Sequence, residues 1–235
     1  EMTVDLADTR ILAAVSDADI VVHLAATLGG AAEVDPMAAR RVNLDVTLNL
    51  IAACRPRARF VFASSLAVLG PTSVERAPTM IYGAHKAMAE IAIETATRRG
   101  EIDGISLRPG GIVARKGQDA TLKSAFLSRV FWAVRNGTDI TLPVSQGGTT
   151  WLCSVVNVAN NFMHAALAQD LGPVRSLTLP MLRCEFGALV AGLHKAFPDS
   201  ASQVDFVPNA DIMRLFGQTQ PIDFSDSLAA GFAPD

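Results

Sequence analysis

Three apolar, β-rich runs recur along the first half of the chain with helix-length stretches between them, and this alternation restricts the fold more than any other feature. Asp19-Ile20-Val21-Val22-His23-Leu24-Ala25-Ala26 breaks at Gly29-Gly30, Arg59-Phe60-Val61-Phe62-Ala63 runs into Ser64-Ser65, and Gly104-Ile105-Ser106-Leu107-Arg108 stops at Pro109-Gly110-Gly111. Continuous apolar runs of this length suit strands covered on both faces, the habit of parallel sheets. Residues 35–54 and 81–99 between them read as helices, the second ending at Gly100. A βαβαβ rhythm predicts an α/β fold with a Rossmann-like, doubly wound parallel sheet. Beyond Gly111 the pattern loosens, with helices expected near 121–136, 155–169 and 184–196 and short strands near 140–142, 151–154, 176–179 and 204–207. The expected division is a sheet domain over 1–111 and a mainly substrate-covering lobe over 112–235.

Ligands of open α/β sheets gather at the carboxyl ends of the strands. Ser64 and Ser65 fall there, and a hydroxyl at that edge can hold a substrate oxygen. Further on, the chain's only tyrosine, Tyr82, stands four residues before Lys86. Positions i and i+4 share a helix face. An ammonium there can stabilise a phenolate against its ordinary pKa of about 10, making the pair a candidate acid/base near neutrality. The plainer alternative is an amphipathic surface pair.

Composition narrows the function classes. Half of the 235 residues are hydrophobic and 18% are charged, so a large core is expected. No apolar run reaches the roughly 18 residues of a membrane span. The opening residues are acidic and lack the apolar stretch of a signal peptide, which points to a cytoplasmic protein. A net charge of −3 without a basic, aromatic-studded patch argues against nucleic acid as a partner. Cys54, Cys153 and Cys184 lack metal or disulfide spacing, and His85, His164 and His194 lack ligand partners, so no metal site is expected. His23, on a buried strand, reads as a core histidine.

The runs His23-Leu24-Ala25-Ala26, Val42-Asn43-Leu44-Asp45-Val46-Thr47, Phe62-Ala63-Ser64-Ser65-Leu66-Ala67-Val68-Leu69-Gly70 and Tyr82-Gly83-Ala84-His85-Lys86 together resemble the extended short-chain dehydrogenase/reductases, the NAD-dependent epimerase/dehydratase family. Within it, Ser106-Leu107-Arg108, Arg115-Lys116-Gly117, Trp151-Leu152 and Leu177-Thr178-Leu179-Pro180 look most like the D-erythronate dehydrogenases. That subfamily oxidises a four-carbon 2-hydroxy acid at C2, so the resemblance implies hydride transfer to NAD. It also implies roles by position. Tyr82 would be the general base, Lys86 would lower its pKa and bind the nicotinamide ribose, and Ser65 would bond the reacting oxygen with Ser64 in support. Asp5 and Leu6 match a pair that touches adenine. Leu24, Ala25 and Ala26 would line the adenosine and pyrophosphate path, Asn43 would brace the site, and Pro109 and Gly110 would pass the nicotinamide.

A carboxylate substrate calls for a cationic partner, and Arg115 is the candidate, since a guanidinium binds carboxylate in bidentate fashion. The resemblance further implies a two-fold homodimer through the helices at 35–54 and 81–99. This sequence departs from the family pattern in three ways. No glycine-rich turn precedes Asp5, so a strand-turn-helix unit is expected upstream, together with the residue that separates NAD from NADP. Ser65 and Tyr82 are 17 positions apart, with a short loop from Pro71 to Pro78, and Asn157 stands where many relatives have Asp. Two other functions stay open: a nucleotide-sugar epimerase or dehydratase using the same residues, and a non-catalytic binding module.

Overall fold

A computed structural model describes residues 4–6, 8–70, 75–115 and 122–235. Helix α1 (Thr9–Ser16) is started by Asp8, whose side chain accepts from the Arg10 N–H. Strand β1 (Ile20–His23) follows. The helix expected over 35–54 is present, running without interruption through α3 (Pro36–Arg40), a π-helical turn at Arg41–Asp45 and α4 (Val46–Ala53), and a short α2 (Gly29–Val34) precedes it across a break at Asp35. The break has a local cause. Asp35 precedes Pro36, which pushes it out of helical space (φ −131°, ψ 85°), and its carboxylate then caps α3 by accepting from the Ala38 N–H.

Strand β2 (Arg59–Ala63), helix α5 (Ile81–Arg98) and strand β3 (Asp103–Arg108) fall within a residue or so of their expected places. The remaining elements are β4 (Gly111–Val113), α6 (Phe126–Asn136), β5 (Ile140–Leu142), β6 (Thr149–Ser154), α7 (Val155–Leu167), β7 (Ser176–Thr178), β8 (Leu182–Glu185), α8 (Phe186–Ala196), β9 (Val204–Phe206), α9 (Ala210–Phe216) and α10 (Ser225–Ala229). Pro71 and the pair Lys116-Gly117 lie outside the described residues, as does the start expected for the helix at 121.

The main sheet has the order β1-β2-β3-β7 and is parallel throughout. Alternate residues of β2 serve opposite faces, as the two-residue strand period requires. Phe60 and Phe62 pack with Leu50, Ala89 and Ile93 from α4 and α5. Val61 packs with Ile105, Leu107, Phe162 and Leu177 beneath α7. Each such apolar side chain contributes about 1.5–3 kcal/mol by leaving water.

Among the described residues β1 pairs with β2 alone, and Ile20 and Val22 are 40% and 44% exposed. Two smaller sheets, β4-β6-β8 and β5-β9, share a second core around Phe126, Leu142, Val144 and Phe186. Although they lie beyond residue 112, α7 and β7 pack into the first layer.

The register brings three strand ends to one edge. His23 pairs with Phe62, and Ala63 with Leu107. The segments starting at Leu24, Ser64 and Pro109 therefore leave the sheet side by side, facing the second layer.

Candidate active site

Ser65 leaves β2 in extended backbone and starts a 3-10 turn at Leu66–Val68, its Oγ accepting from the Ala67 N–H at 3.1 Å. The first turn of α5 lies directly on this turn. A Cβ at Gly83 would come 2.1 Å from the Ala67 carbonyl oxygen, so only glycine permits the approach. Tyr82, its neighbour, is thereby brought towards Ser65, near enough for the Ser65 hydroxyl to act on the phenol's pKa. Glu33 of α2 supports the same helix end by accepting from the Ile81 N–H at 2.6 Å.

One turn along α5, Lys86 is 1% exposed. Its Nζ donates to the Ala63 carbonyl at 2.6 Å, and lies 4.3 Å from the Phe62 ring centroid and 5.8 Å from that of Tyr82. Ser65 thus meets Tyr82 and Lys86 of α5 at the carboxyl edge of the sheet.

Burial raises the Tyr82 pKa above its ordinary value, and the Ser65 hydroxyl opposes the rise. The cost of burial falls on the lysine too: desolvation brings Lys86 down to about 8, with the charge of Glu90 opposing the fall. His23 is driven down to about 4 by burial and by Lys86. Its Nε2 lies 3.0 Å from Thr47 Oγ1 and its ring is tilted against Phe62, which makes it a neutral core histidine.

A cavity of about 630 Å³ lies over this edge, between the two layers. Leu24, Ala25, Ala26, Pro109 and Gly110 line it on the strand side, and Arg115 on the side of the second layer. Ser64 also borders it, but its hydroxyl donates to Glu90 Oε1 at 2.6 Å, so the side chain serves the scaffold. Asn43 is buried and does not line the cavity. It accepts from the Thr27 N–H (2.7 Å) and donates to the Thr27 carbonyl (2.9 Å), bracing the segment after β1. Asp5 and Leu6 do not line the cavity, and Leu6 packs against the core that includes Val46 and Leu50 of α4.

Some site features escaped the sequence reading. Lys123, Arg214, Trp151 and Phe216 line the second-layer wall. Trp151 is fixed by its Nε1 donating to the Gln220 carbonyl at 3.0 Å and by an edge contact with Phe224. Among the described residues the cavity is lined by the cations Lys86, Arg115, Lys123 and Arg214 and by no Asp or Glu. In a chain of net charge −3 that lining makes this wall locally positive, with Arg214 3.6 Å from Asp211. No three His, Cys, Asp or Glu side chains gather as a metal centre among the described residues, and no described helix is long and apolar enough to cross a membrane.

A cavity at the carboxyl edge of a parallel α/β sheet is where such folds bind nucleotide cofactors, and comparison with known proteins gives the family. Residues 2–174 match the NAD dependent epimerase/dehydratase family. The chain belongs to that family, as an NAD-dependent dehydrogenase of the extended short-chain dehydrogenase/reductase type. It is 31% identical over 234 residues to a D-erythronate dehydrogenase of Haemophilus influenzae, with 93% of this chain and 74% of that protein covered. It is also 31% identical over 253 residues to a D-erythronate dehydrogenase of Cupriavidus necator, covering 100% and 77%.

Among solved structures, a nucleoside-diphosphate-sugar epimerase from Agrobacterium tumefaciens superposes with a TM-score of 0.83 at 29% identity, covering 92% of this chain and 69% of that one. A GalE-like L-threonine dehydrogenase from Cupriavidus necator gives 0.86 at 20% identity, covering 100% and 80%, a likeness of fold.

The residues present suit the nicotinamide end of NAD. The small side chains of Ala25, Ala26, Ala63 and Gly110 leave room at the strand ends, and the buried Lys86 ammonium is the donor a ribose hydroxyl requires.

Proposed function

We propose that the protein oxidises the hydroxyl of a small sugar acid, a D-erythronate-like 2-hydroxy acid, to the 2-oxo acid by Tyr-Lys-Ser catalysis. The convergence of Ser65, Tyr82 and Lys86 at one edge of the sheet carries this reading. Ser65 holds the reacting oxygen by hydrogen bonding, and Tyr82, as phenolate, takes the hydroxyl proton. Lys86 offsets the cost of forming that phenolate and holds the ribose. The chemistry NAD supplies when bound is acceptance of the hydride from the carbinol carbon. Burial of Tyr82 keeps the phenol a weak acid until Lys86 is charged beside it, so oxidation requires the lysine protonated and the tyrosine not.

Two observations support an acid substrate: the cavity wall carries cations without carboxylates, and both curated relatives carry the erythronate name. Arg115 is proposed to hold the substrate carboxylate, with residues 112–235 mainly covering the substrate and 1–111 serving NAD. Leu48, Met88 and Ile91, exposed by 40%, 43% and 50% on α4 and α5, are proposed to meet their copies in a homodimer. A cytoplasmic, carbohydrate-metabolising role is proposed, in keeping with three free thiols.

A nucleotide-sugar epimerase is the second reading, favoured by the Agrobacterium neighbour and by the locally positive wall. A panel of four- to six-carbon sugar acids with NAD, read by absorbance of the reduced nicotinamide, separates the two. Turnover of a 2-hydroxy acid is expected. Binding of UDP-sugars with no acid oxidised would replace the first reading by the second.

A further inference from the structure

Glu90 is fully buried one turn beyond Lys86 on α5, and both its oxygens are in use. Oε1 accepts from Ser64 Oγ at 2.6 Å and from Arg108 Nε at 2.7 Å. Oε2 accepts from the second Arg108 nitrogen at 2.6 Å and from Arg76 Nε at 2.9 Å. The partners come from three further parts of the chain. Ser64 immediately precedes Ser65. Arg108 ends β3 and immediately precedes Pro109, whose carbonyl accepts from the Leu66 N–H at 3.0 Å. Arg76 bridges to Leu69 across the short loop ahead of α5, and continues the network to Glu94, which in turn accepts from Ser176 of β7 at 2.6 Å. One carboxylate therefore ties the helix that carries Tyr82 and Lys86 to the strand end that carries Ser65 and to the Pro109-Gly110 wall.

A buried ion pair is weak evidence for stability, because desolvation offsets most of the attraction. What it does fix is direction: a bidentate arginine and a short hydroxyl bond leave little angular freedom. We propose that Glu90, acting through Ser64 and Arg108, is a positioning residue that sets Ser65 against Tyr82. The inference rests on the Tyr-Lys-Ser reading above.

The phenol's own neighbourhood makes the idea measurable. Tyr82 is the only tyrosine of the chain, so its ionisation can be followed alone by ultraviolet difference titration, without cofactor or substrate. The charged group beside it is Lys86, which itself faces His23 and Glu90. Ser64→Ala removes one hydroxyl and leaves every charge in place. If Ser64 merely fills space, nothing at Tyr82 changes. If it sets Ser65, the Ser65 hydroxyl no longer opposes the rise of the phenol's pKa as fully, and the titration midpoint rises.

The test compares wild type, Ser64→Ala, Glu90→Gln and Tyr82→Phe for melting temperature, kcat, KM and, where the tyrosine is present, its titration. The expected result for folded Ser64→Ala is a higher Tyr82 midpoint and a kcat about 10-fold or more below wild type with KM within a few-fold. Glu90→Gln loses about 10²-fold, the scale of a misplacement near 1 Å. Should Glu90→Gln not fold, Ser64→Ala alone decides. An unchanged midpoint or an unchanged kcat in folded Ser64→Ala overturns the proposal. Wild-type activity in Tyr82→Phe would instead remove the catalytic reading beneath it.

Discussion

Gly83→Ala isolates the contact that assembles the site. In most helices this change is favourable, since alanine exceeds glycine in helix propensity by about 1 kcal/mol. Here the new methyl would lie 2.1 Å from the Ala67 carbonyl oxygen, 2.9 Å from the Ala67 carbonyl carbon and 3.1 Å from Pro78 Cβ, where ordinary contacts begin at 3.4 Å. Relief requires the first turn of α5 to retreat from the Leu66–Val68 turn by about 1 Å. The obstruction is backbone, so no rotamer change provides it. Overpacking of this kind costs about 1–3 kcal/mol, against which the propensity gain is set, leaving a net loss of about 0–2 kcal/mol. At about 2–4 °C per kcal/mol for a chain of this size, the melting temperature falls by less than about 8 °C. Activity should suffer more, because the retreat separates Tyr82 from Ser65, and a displacement near 1 Å costs about 10²-fold in rate. Steady-state kinetics beside a thermal melt checks this. A folded Gly83→Ala enzyme with wild-type kcat would refute the claim that this contact sets the catalytic distance.

Lys86→Met should lower turnover and NAD affinity and move upward the limb of the pH–rate profile that rises as Tyr82 loses its proton, as seen in kinetics from pH 7 to 10. The same variant should melt no lower than wild type at pH 7. A lysine held at about 8 against an ordinary 10.5 binds fewer protons folded than unfolded between those values, so its burial opposes folding at pH 7 and ceases to do so as pH rises past 10.5. Arg115→Ala should raise KM for the acid substrate by about 10-fold or more, the loss of a charged hydrogen bond, with kcat much less affected; an unchanged KM would free Arg115 of that role. Light scattering should give twice the chain's mass for wild type, and Met88→Glu with Ile91→Glu should give the monomer.

Strand positions were legible because β2 and β3 are covered on both faces and so appear as unbroken apolar runs. The sequence also carried the catalytic spacing, since α5 keeps Tyr82 and Lys86 one turn apart whatever surrounds them. Three kinds of feature were not legible. The short helix α2, cut off at Asp35-Pro36, and the π-helical turn inside the helix that follows, whose extra residue leaves no period to read, are the first. The strands β4 and β8 are three and four residues long, shorter than any periodicity can report, yet they build the wall that holds Trp151. The direction of the tyrosine's pKa shift depends on burial, which the i, i+4 argument does not contain. Glu90 did leave a signal: a carboxylate four residues after Lys86, among Ala87, Ala89 and Ile93 on a helix that must face the sheet, has to be paired.

The central claim is that Tyr82 exchanges the proton of the reacting hydroxyl, and kcat of Tyr82→Phe tests it most directly. Only one oxygen is removed, so the melting temperature and NAD affinity should stay near wild type. With the best sugar acid of the panel and saturating NAD, kcat should fall by at least the roughly 10²–10⁴-fold that an acid/base contributes. A folded Tyr82→Phe enzyme turning over within a few-fold of wild type would contradict the account.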